Sequence, residues 1–291
     1  MTLLLDRTVD ANGLRHHVVE AHGGARGDLV LLHGYLDLAH SFDAVIEALA
    51  GRGFHVVAPD FRGHGDTDRV PRGAYYHSLD YVADLDALAD ALGIARAHVI
   101  AHSMGGSVAT RWAAARPERV ASLALLEGVG PPAMPADVTP DRTTAWLDGL
   151  RKARGRTPRV MATRDEVVAR MRLSHPMVQR DVLERAAIVA TRGVEGGYAF
   201  RFDPLHQTTS PTRFDAEAFE ASVARVRCPV LMVDGGDLTL FEELLERARR
   251  YPGARFAAVE GAGHMMHWTA PDLLVAALMA FLDDVAPASN G

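Results

Sequence analysis

The sequence predicts an α/β fold in which a mostly parallel central sheet carries helices on both faces. Short apolar runs recur along the chain, and most are followed by a segment with helical spacing. One run, Val99–Ala101, leads to Ser103, two glycines and a helical pattern, which is the strand–turn–helix order of a nucleophile elbow. Strands that alternate with helices form parallel sheets covered on both faces.

Six apolar runs are candidate strands, because each is short and ends at a glycine, a proline or a polar residue. They are Leu29–Leu32, Phe54–Ala58, Val99–Ala101, Leu123–Leu126, Val230–Val233 and Phe256–Val259. Five further segments have helical spacing: Ser41–Ala50, Leu79–Leu92, Ser107–Ala115, Phe241–Arg250 and Pro271–Leu282. The last of these begins at a proline, which the first turn of a helix tolerates.

The alternation of strands and helices stops between residues 131 and 219. About 90 residues between two strands is too long for a loop. Three stretches in this segment have helical character, namely Thr144–Ala153, Asp165–Leu173 and Val178–Thr191. We therefore expect residues 1–130 and 220–291 to form the core. Residues 131–219 are expected to form a helical cap subdomain over the carboxyl ends of the strands, where α/β sheets bind ligands.

Composition narrows the class of function. The 291 residues are 48% hydrophobic and carry a net charge of −6, which gives no basic surface for nucleic acid. No apolar stretch approaches the roughly 20 residues of a membrane span, and the first residues lack the pattern of a signal peptide. The single cysteine, Cys228, fits a reducing compartment. We expect a cytoplasmic protein with no nucleic-acid or membrane partner, and composition leaves the oligomeric state open.

Ser103 is the candidate nucleophile. A serine hydroxyl is a weak nucleophile, so it needs a base to take its proton and donors to hold the oxyanion that it creates. The predicted turn would lift the Ser103 hydroxyl off the sheet edge and aim the Met104 N–H at the reacting oxygen. Ala101 replaces the first glycine of the G-x-S-x-G pattern, which is the mildest change at a position that must be small.

A second oxyanion donor is predicted at the backbone N–H of Tyr35. The preceding Gly34 follows a candidate strand and permits a tight turn that exposes this N–H. Together with the Met104 N–H it would complete an oxyanion hole. His33, beside the glycine, is interpreted as a structural residue that packs under the loop.

His264 is the candidate general base. It ends the glycine-rich stretch Gly261–Gly263, which follows the last predicted strand and precedes the last helix. The chain has 14 histidines, but this one follows the serine in chain order and lies on the expected kind of loop. His267, three residues further on, is the alternative base.

Five blocks make the chain resemble the α/β-hydrolase fold superfamily along nearly its whole length. They are Leu31–Asp37, Ala58–Gly65, Ala101–Gly106, Pro117–Val120 and Gly261–His264. Within that superfamily the chain looks like the serine-hydrolase-like branch with a helical cap. No residues have the spacing of a metal site and no glycine loop suits a phosphate, so no metal and no cofactor are expected.

The resemblance leaves two candidates for the acid that orients the histidine. In most relatives the acid lies three residues past a glycine on the loop after Val230–Val233, but here that position is Leu238, and Asp237 falls one residue short. The other known placement is the end of the strand before the cap, 24 residues past the nucleophile, where this chain has Glu127. A buried carboxylate needs a partner, and the histidine would be one, so Glu127 is favoured. A salt bridge to a cap arginine for Glu127 and a helix N-cap for Asp237 remain as alternatives.

These residues predict a serine hydrolase that cleaves a carboxylic ester or a related small acyl substrate. Ser103 would attack the carbonyl, His264 would move the proton, and water would resolve the acyl-enzyme. Epoxide hydrolases and haloalkane dehalogenases of this fold use an aspartate nucleophile, so the serine argues against both. Carbon–carbon bond hydrolysis and perhydrolysis on the same triad remain alternatives, as does a non-catalytic ligand receptor of the same fold.

Overall fold

The computed structural model describes residues 3–154, 159–236 and 242–286. The strands in these residues are β1 (Leu5–Ala11), β2 (Leu14–Ala21), β3 (Asp28–Leu32), β4 (His55–Pro59), β5 (Ala97–His102), β6 (Val120–Leu126), β7 (Thr191–Val194), β8 (Gly197–Phe200), β9 (Val230–Asp234) and β10 (Arg255–Ala258). The helices are α1 (Asp43–Ala50), α2 (Ser78–Ala91), α3 (Met104–Ala115), α4 (Thr139–Arg154), α5 (Arg164–Ser174), α6 (Arg180–Ala190), α7 (Ala216–Val223), α8 (Glu242–Arg249), α9 (Met266–Thr269) and α10 (Pro271–Val285).

Eight of the described strands form one sheet in the order β1-β2-β4-β3-β5-β6-β9-β10. The pairs from β4 through β3, β5, β6 and β9 to β10 are all parallel, which confirms the predicted fold class. The β1–β2 and β2–β4 pairs are antiparallel. The β1–β2 hairpin was not predicted, because β1 is an edge strand that is largely exposed and has no apolar run.

Helices cover both faces of the sheet, and β3 contributes side chains to the apolar cluster on each face. Leu29 and Leu31 belong to the cluster that packs against α1 and α10. Val30 and Leu32 belong to the cluster on the other face, which packs against α2, α3 and α7. Alternate side chains of a strand point to opposite faces, so a strand buried on both sides has a continuous apolar run. This is why the central strands could be predicted from sequence.

The segment between β6 and β9 contains α4, α5, α6 and the antiparallel hairpin β7–β8. Its helices have their own apolar cluster, which includes Met161, Met171 and Leu183. Trp268, in α9 directly after the loop of the candidate base, packs against this cluster. The hairpin was not predicted, and α7 runs across the expected boundary at residue 219, with Phe219 buried against the core.

Within the three described ranges, no helix is both long enough and apolar enough to cross a membrane.

Candidate active site

Ser103 alone forms the turn between β5 and α3. Its backbone has φ 50° and ψ −115°, a conformation that residues with a side chain rarely adopt. Two backbone hydrogen bonds hold it there: the Ser103 N–H donates to the Leu126 carbonyl at 3.0 Å, and its carbonyl accepts from the Gly106 N–H at 3.0 Å. The strained turn places the half-buried serine at the carboxyl end of β5 and at the N-terminus of α3.

Small residues around Ser103 let three backbone segments approach each other. A Cβ atom on Gly106 would lie 2.2 Å from the Gly128 carbonyl oxygen. A Cβ atom on Gly34 would lie 2.6 Å from His102 Nδ1 and 3.3 Å from Ser103 Cβ. The loop after β3 therefore lies directly against the turn, as the prediction of an oxyanion donor at the next residue requires.

Glu127 directly follows β6 and has a positive φ of 47°. Its N–H donates to the Val233 carbonyl at 3.1 Å, which fixes the backbone beside β9. The side chain is only 3% exposed. Its Oε1 accepts from the Gly235 N–H at 2.8 Å, and its Oε2 lies 2.7 Å from His264 Nδ1. The structure thus brings Glu127 and His264 together.

His264 lies on a loop that the Gly263 N–H ties to the Gly235 carbonyl at 2.8 Å. Its side chain is 40% exposed, so it is accessible to a ligand. Because a carboxylate accepts but cannot donate, Nδ1 carries the proton toward Glu127, and Nε2 of the neutral ring keeps a lone pair. Among the described residues, no hydrogen bond joins the Ser103 hydroxyl to this ring.

His102 connects the serine turn to the histidine loop. Its Nε2 lies 2.9 Å from the His264 carbonyl oxygen, and the two rings are 4.6 Å apart. Burial holds the pKa of His102 well below its usual value, so the ring is neutral and Nε2–H donates. This contact was not predicted, although His102 directly precedes Ser103 in the motif.

His267, the alternative base, is buried, with 2% of its surface exposed. Its Nε2 is 3.0 Å from Asp37 Oδ2, and its ring stacks on Phe42 at 4.1 Å. A ring that is stacked, buried and bound to a carboxylate is not presented to a ligand. The geometry therefore favours His264 over His267.

The loop after β3 carries two further predicted residues, His33 and Tyr35. His33 Nε2 accepts from the Phe61 N–H at 2.9 Å, and its Nδ1–H donates to the Gly34 carbonyl at 2.7 Å. Both ring nitrogens are therefore hydrogen-bonded to the backbone, which fits a structural role. The Tyr35 hydroxyl donates to the His206 carbonyl. Met104 is the first residue of α3, whose first N–H groups have no acceptor within the helix. Asp237 lies outside the described residues.

Comparison with known proteins is consistent with this architecture. The sequence model described as the alpha/beta hydrolase fold matches residues 29–271. The chain is 28% identical over 281 residues to a serine hydrolase-like protein of Danio rerio, an alignment that covers 91% of this chain and 84% of that protein. It is 38% identical over 135 residues to epoxide hydrolase A of Mycobacterium tuberculosis, covering 46% of this chain and 41% of that protein.

A solved structure extends the similarity to the whole chain. A hypothetical protein from Pseudomonas aeruginosa superposes with a TM-score of 0.86 at 28% identity, covering 97% of this chain and 99% of that one. The match of the family model over most of the sequence confirms the predicted resemblance. This chain belongs to the alpha/beta hydrolase fold family.

Proposed function

We propose that this hydrolase cleaves carboxylic esters or related small acyl substrates through a covalent acyl-enzyme. Ser103 is the nucleophile, His264 is the general base and acid, and Glu127 orients the histidine. The backbone N–H groups of Tyr35 and Met104 hold the oxyanion. The observation that carries this proposal is the buried carboxylate of Glu127, which lies 2.7 Å from the ring nitrogen of a half-exposed histidine beside the serine turn.

The hydrogen bonds support the assignment of roles. Glu127 receives the Gly235 N–H on one oxygen and faces His264 Nδ1 with the other, so its orientation is fixed. The carboxylate holds the tautomer whose Nε2 accepts the serine proton, and it stabilises the imidazolium that forms. A serine–histidine hydrogen bond is often long in an unliganded enzyme and tightens when substrate binds.

The two proposed oxyanion donors are backbone N–H groups near Ser103. The Met104 N–H lies at the positive end of α3. The loop that carries Tyr35 packs against Ser103 at Gly34, which supports the Tyr35 N–H as the second donor. Two such donors stabilise the tetrahedral intermediate, and each is worth roughly 3–4 kcal/mol. Because both are backbone groups, side-chain substitution at these positions leaves them in place.

The identity of the nucleophile separates this proposal from the reactions of some relatives. Part of the chain is similar to an epoxide hydrolase, and the serine hydrolase-like relative matches over a larger share of it. An ester formed on a serine oxygen is resolved by water attack on the acyl carbon, which regenerates the hydroxyl. Serine at position 103 therefore favours acyl transfer over epoxide opening.

The proposal is tested by labelling the purified protein with a fluorophosphonate and identifying the modified peptide by mass spectrometry. We expect one adduct, on Ser103, and none in Ser103→Ala. Ser107→Ala, a change in α3 about one turn after Ser103, is the matched control and should label as the wild type does. Hydrolysis of esters with increasing acyl length then defines the substrate range.

A folded protein that gives no adduct, hydrolyses no ester and melts at a higher temperature with a bound small molecule would contradict the proposal. That result would favour the ligand receptor.

A further inference from the structure

A second constellation of titratable residues lies on the edge strands β1 and β2 and on the segment before α1. Asp6 of β1, His17 of β2 and His40, which precedes α1, converge there. Asp6 Oδ1 is 2.9 Å from His17 Nε2 and 2.9 Å from His40 Nε2, and the three atoms all lie within 4.8 Å of one another. The Asp6 side chain is 64% exposed, so solvent reaches the cluster.

The other nitrogen of each ring is held by a further carboxylate. His17 Nδ1 lies 2.7 Å from Asp60 Oδ2, and His40 Nδ1 lies 2.9 Å from Asp43 Oδ1. A carboxylate accepts but does not donate, so both Nδ1 atoms carry protons. In neutral rings the two Nε2 lone pairs then face the oxygen of Asp6, which is also an acceptor. Positive charge relieves this repulsion, either as a proton on each Nε2 or as one cation held between the three atoms.

Two kinds of cation satisfy the site. A proton on each ring turns the contacts into charge-assisted hydrogen bonds, whereas one divalent ion supplies the same charge at the centre. Carboxylate–histidine pairs that leave the outer nitrogens convergent are the usual support of histidine-bound metals, because they fix the tautomer and raise the basicity of the ligand. Imidazole donors favour zinc and its neighbours over calcium or magnesium.

We propose that Asp6, His17 and His40 bind one Zn²⁺ or similar transition-metal ion, which Asp43 and Asp60 support through the rings. Three protein ligands leave a fourth tetrahedral position for water. Ligand atoms about 2.0–2.1 Å from zinc are roughly 3.3 Å apart in a tetrahedron. The two Asp6 contacts of 2.9 Å therefore need to lengthen by only a few tenths of an ångström, which the exposed Asp6 side chain permits. The ion joins the β1–β2 hairpin to the segment before α1.

The chain offers a matched control further along β2. Glu20, His22 and His55 also come together, with Glu20 Oε1 at 2.7 Å from His55 Nε2. There the other oxygen of Glu20 is bound by the Arg7 guanidinium, which already supplies a fixed cation. We therefore expect His55→Gln to leave metal binding unchanged.

The test is titration of the purified protein with Zn²⁺ from a chelator-buffered supply at pH 8, followed by calorimetry in buffers of different ionisation enthalpy. We expect one ion per chain, proton release on binding, and tighter binding as pH rises, because protons compete for the same nitrogens. His40→Gln and Asp6→Asn should each weaken binding more than tenfold. Asp43→Asn, which removes only the support of the ring, should weaken it about 10- to 100-fold.

His264→Ala separates this site from the proposed active site, since the readout is binding and not turnover. Full retention of binding in His264→Ala and its loss in His40→Gln support the proposal. Absence of binding to the wild type, equal affinity in His40→Gln, or loss of the ion in His264→Ala would each overturn it.

Discussion

Replacement of Glu127 by glutamine tests the proposed mechanism most directly. The substitution keeps the size of the side chain and an oxygen that can still accept the Gly235 N–H. It removes the charge beside His264 and presents an amide N–H₂ to Nδ1. Nδ1 must then accept, so the ring proton moves to Nε2, where it blocks proton transfer from Ser103.

The size of the effect follows from burial. The Glu127 side chain is 3% exposed, so water cannot take over the role of the carboxylate. In a serine protease triad, the corresponding acid-to-amide change lowers kcat about 10⁴-fold, which equals about 5.5 kcal/mol of transition-state stabilisation. We expect a loss of this order for Glu127→Gln.

The rate of fluorophosphonate labelling measures the loss without knowledge of the substrate. Glu260→Gln, an exposed change on the loop of His264, is the matched control and should label at the wild-type rate. Asp237→Asn compares the other candidate acid, and we expect it to cost less than Glu127→Gln. A loss below about tenfold in a Glu127→Gln protein of unchanged melting temperature, or a larger loss in Asp237→Asn, would refute the reasoning.

Three further predictions concern stability and the side chains around the site. The free energy of unfolding measured by urea titration should be about 1 kcal/mol higher for Ser103→Gly than for Ser103→Ala, because glycine relieves the strain of φ 50°. Equal free energies of unfolding would contradict this. Tyr35→Phe should lower stability by about 1 kcal/mol through its lost hydrogen bond to the His206 carbonyl, while kcat stays within a few-fold because the proposed donor is backbone; a hundredfold loss would contradict it. Burial lowers the pKa of His206 from 6.5 to about 4. Below about pH 6.5 the unfolded chain binds a proton that the buried ring does not, so the free energy of unfolding is undiminished above that pH and falls by about 3 kcal/mol as the pH drops to 4. Unfolding free energies measured from pH 7 to pH 4 should fall less steeply in His206→Gln than in the wild type, and parallel curves would exclude this role.

Much of the core could be predicted because its signals are local. A strand buried on both faces needs a continuous apolar run, and the predicted run Val230–Val233 matches β9 to within one residue. The helix after the serine was predicted to begin at Ser107 but starts at Met104. Its first turn contains Gly105 and Gly106, which pack against neighbouring backbone and give no helical pattern in the sequence. The exposed hairpin β1–β2 gave no comparable signal and was missed.

The sequence by itself determined the alternation of strands and helices, the serine turn and the glycine loop of His264, since each depends on residues that are neighbours in the sequence. The tertiary structure decided which distant side chains meet. Glu127 and His264 are 137 residues apart, and His102 contacts the carbonyl of a residue 162 positions away. The cluster of Asp6, His17 and His40 joins three separate elements in the same way. Such contacts depend on the order and register of the strands, which long-range packing sets and no local pattern encodes.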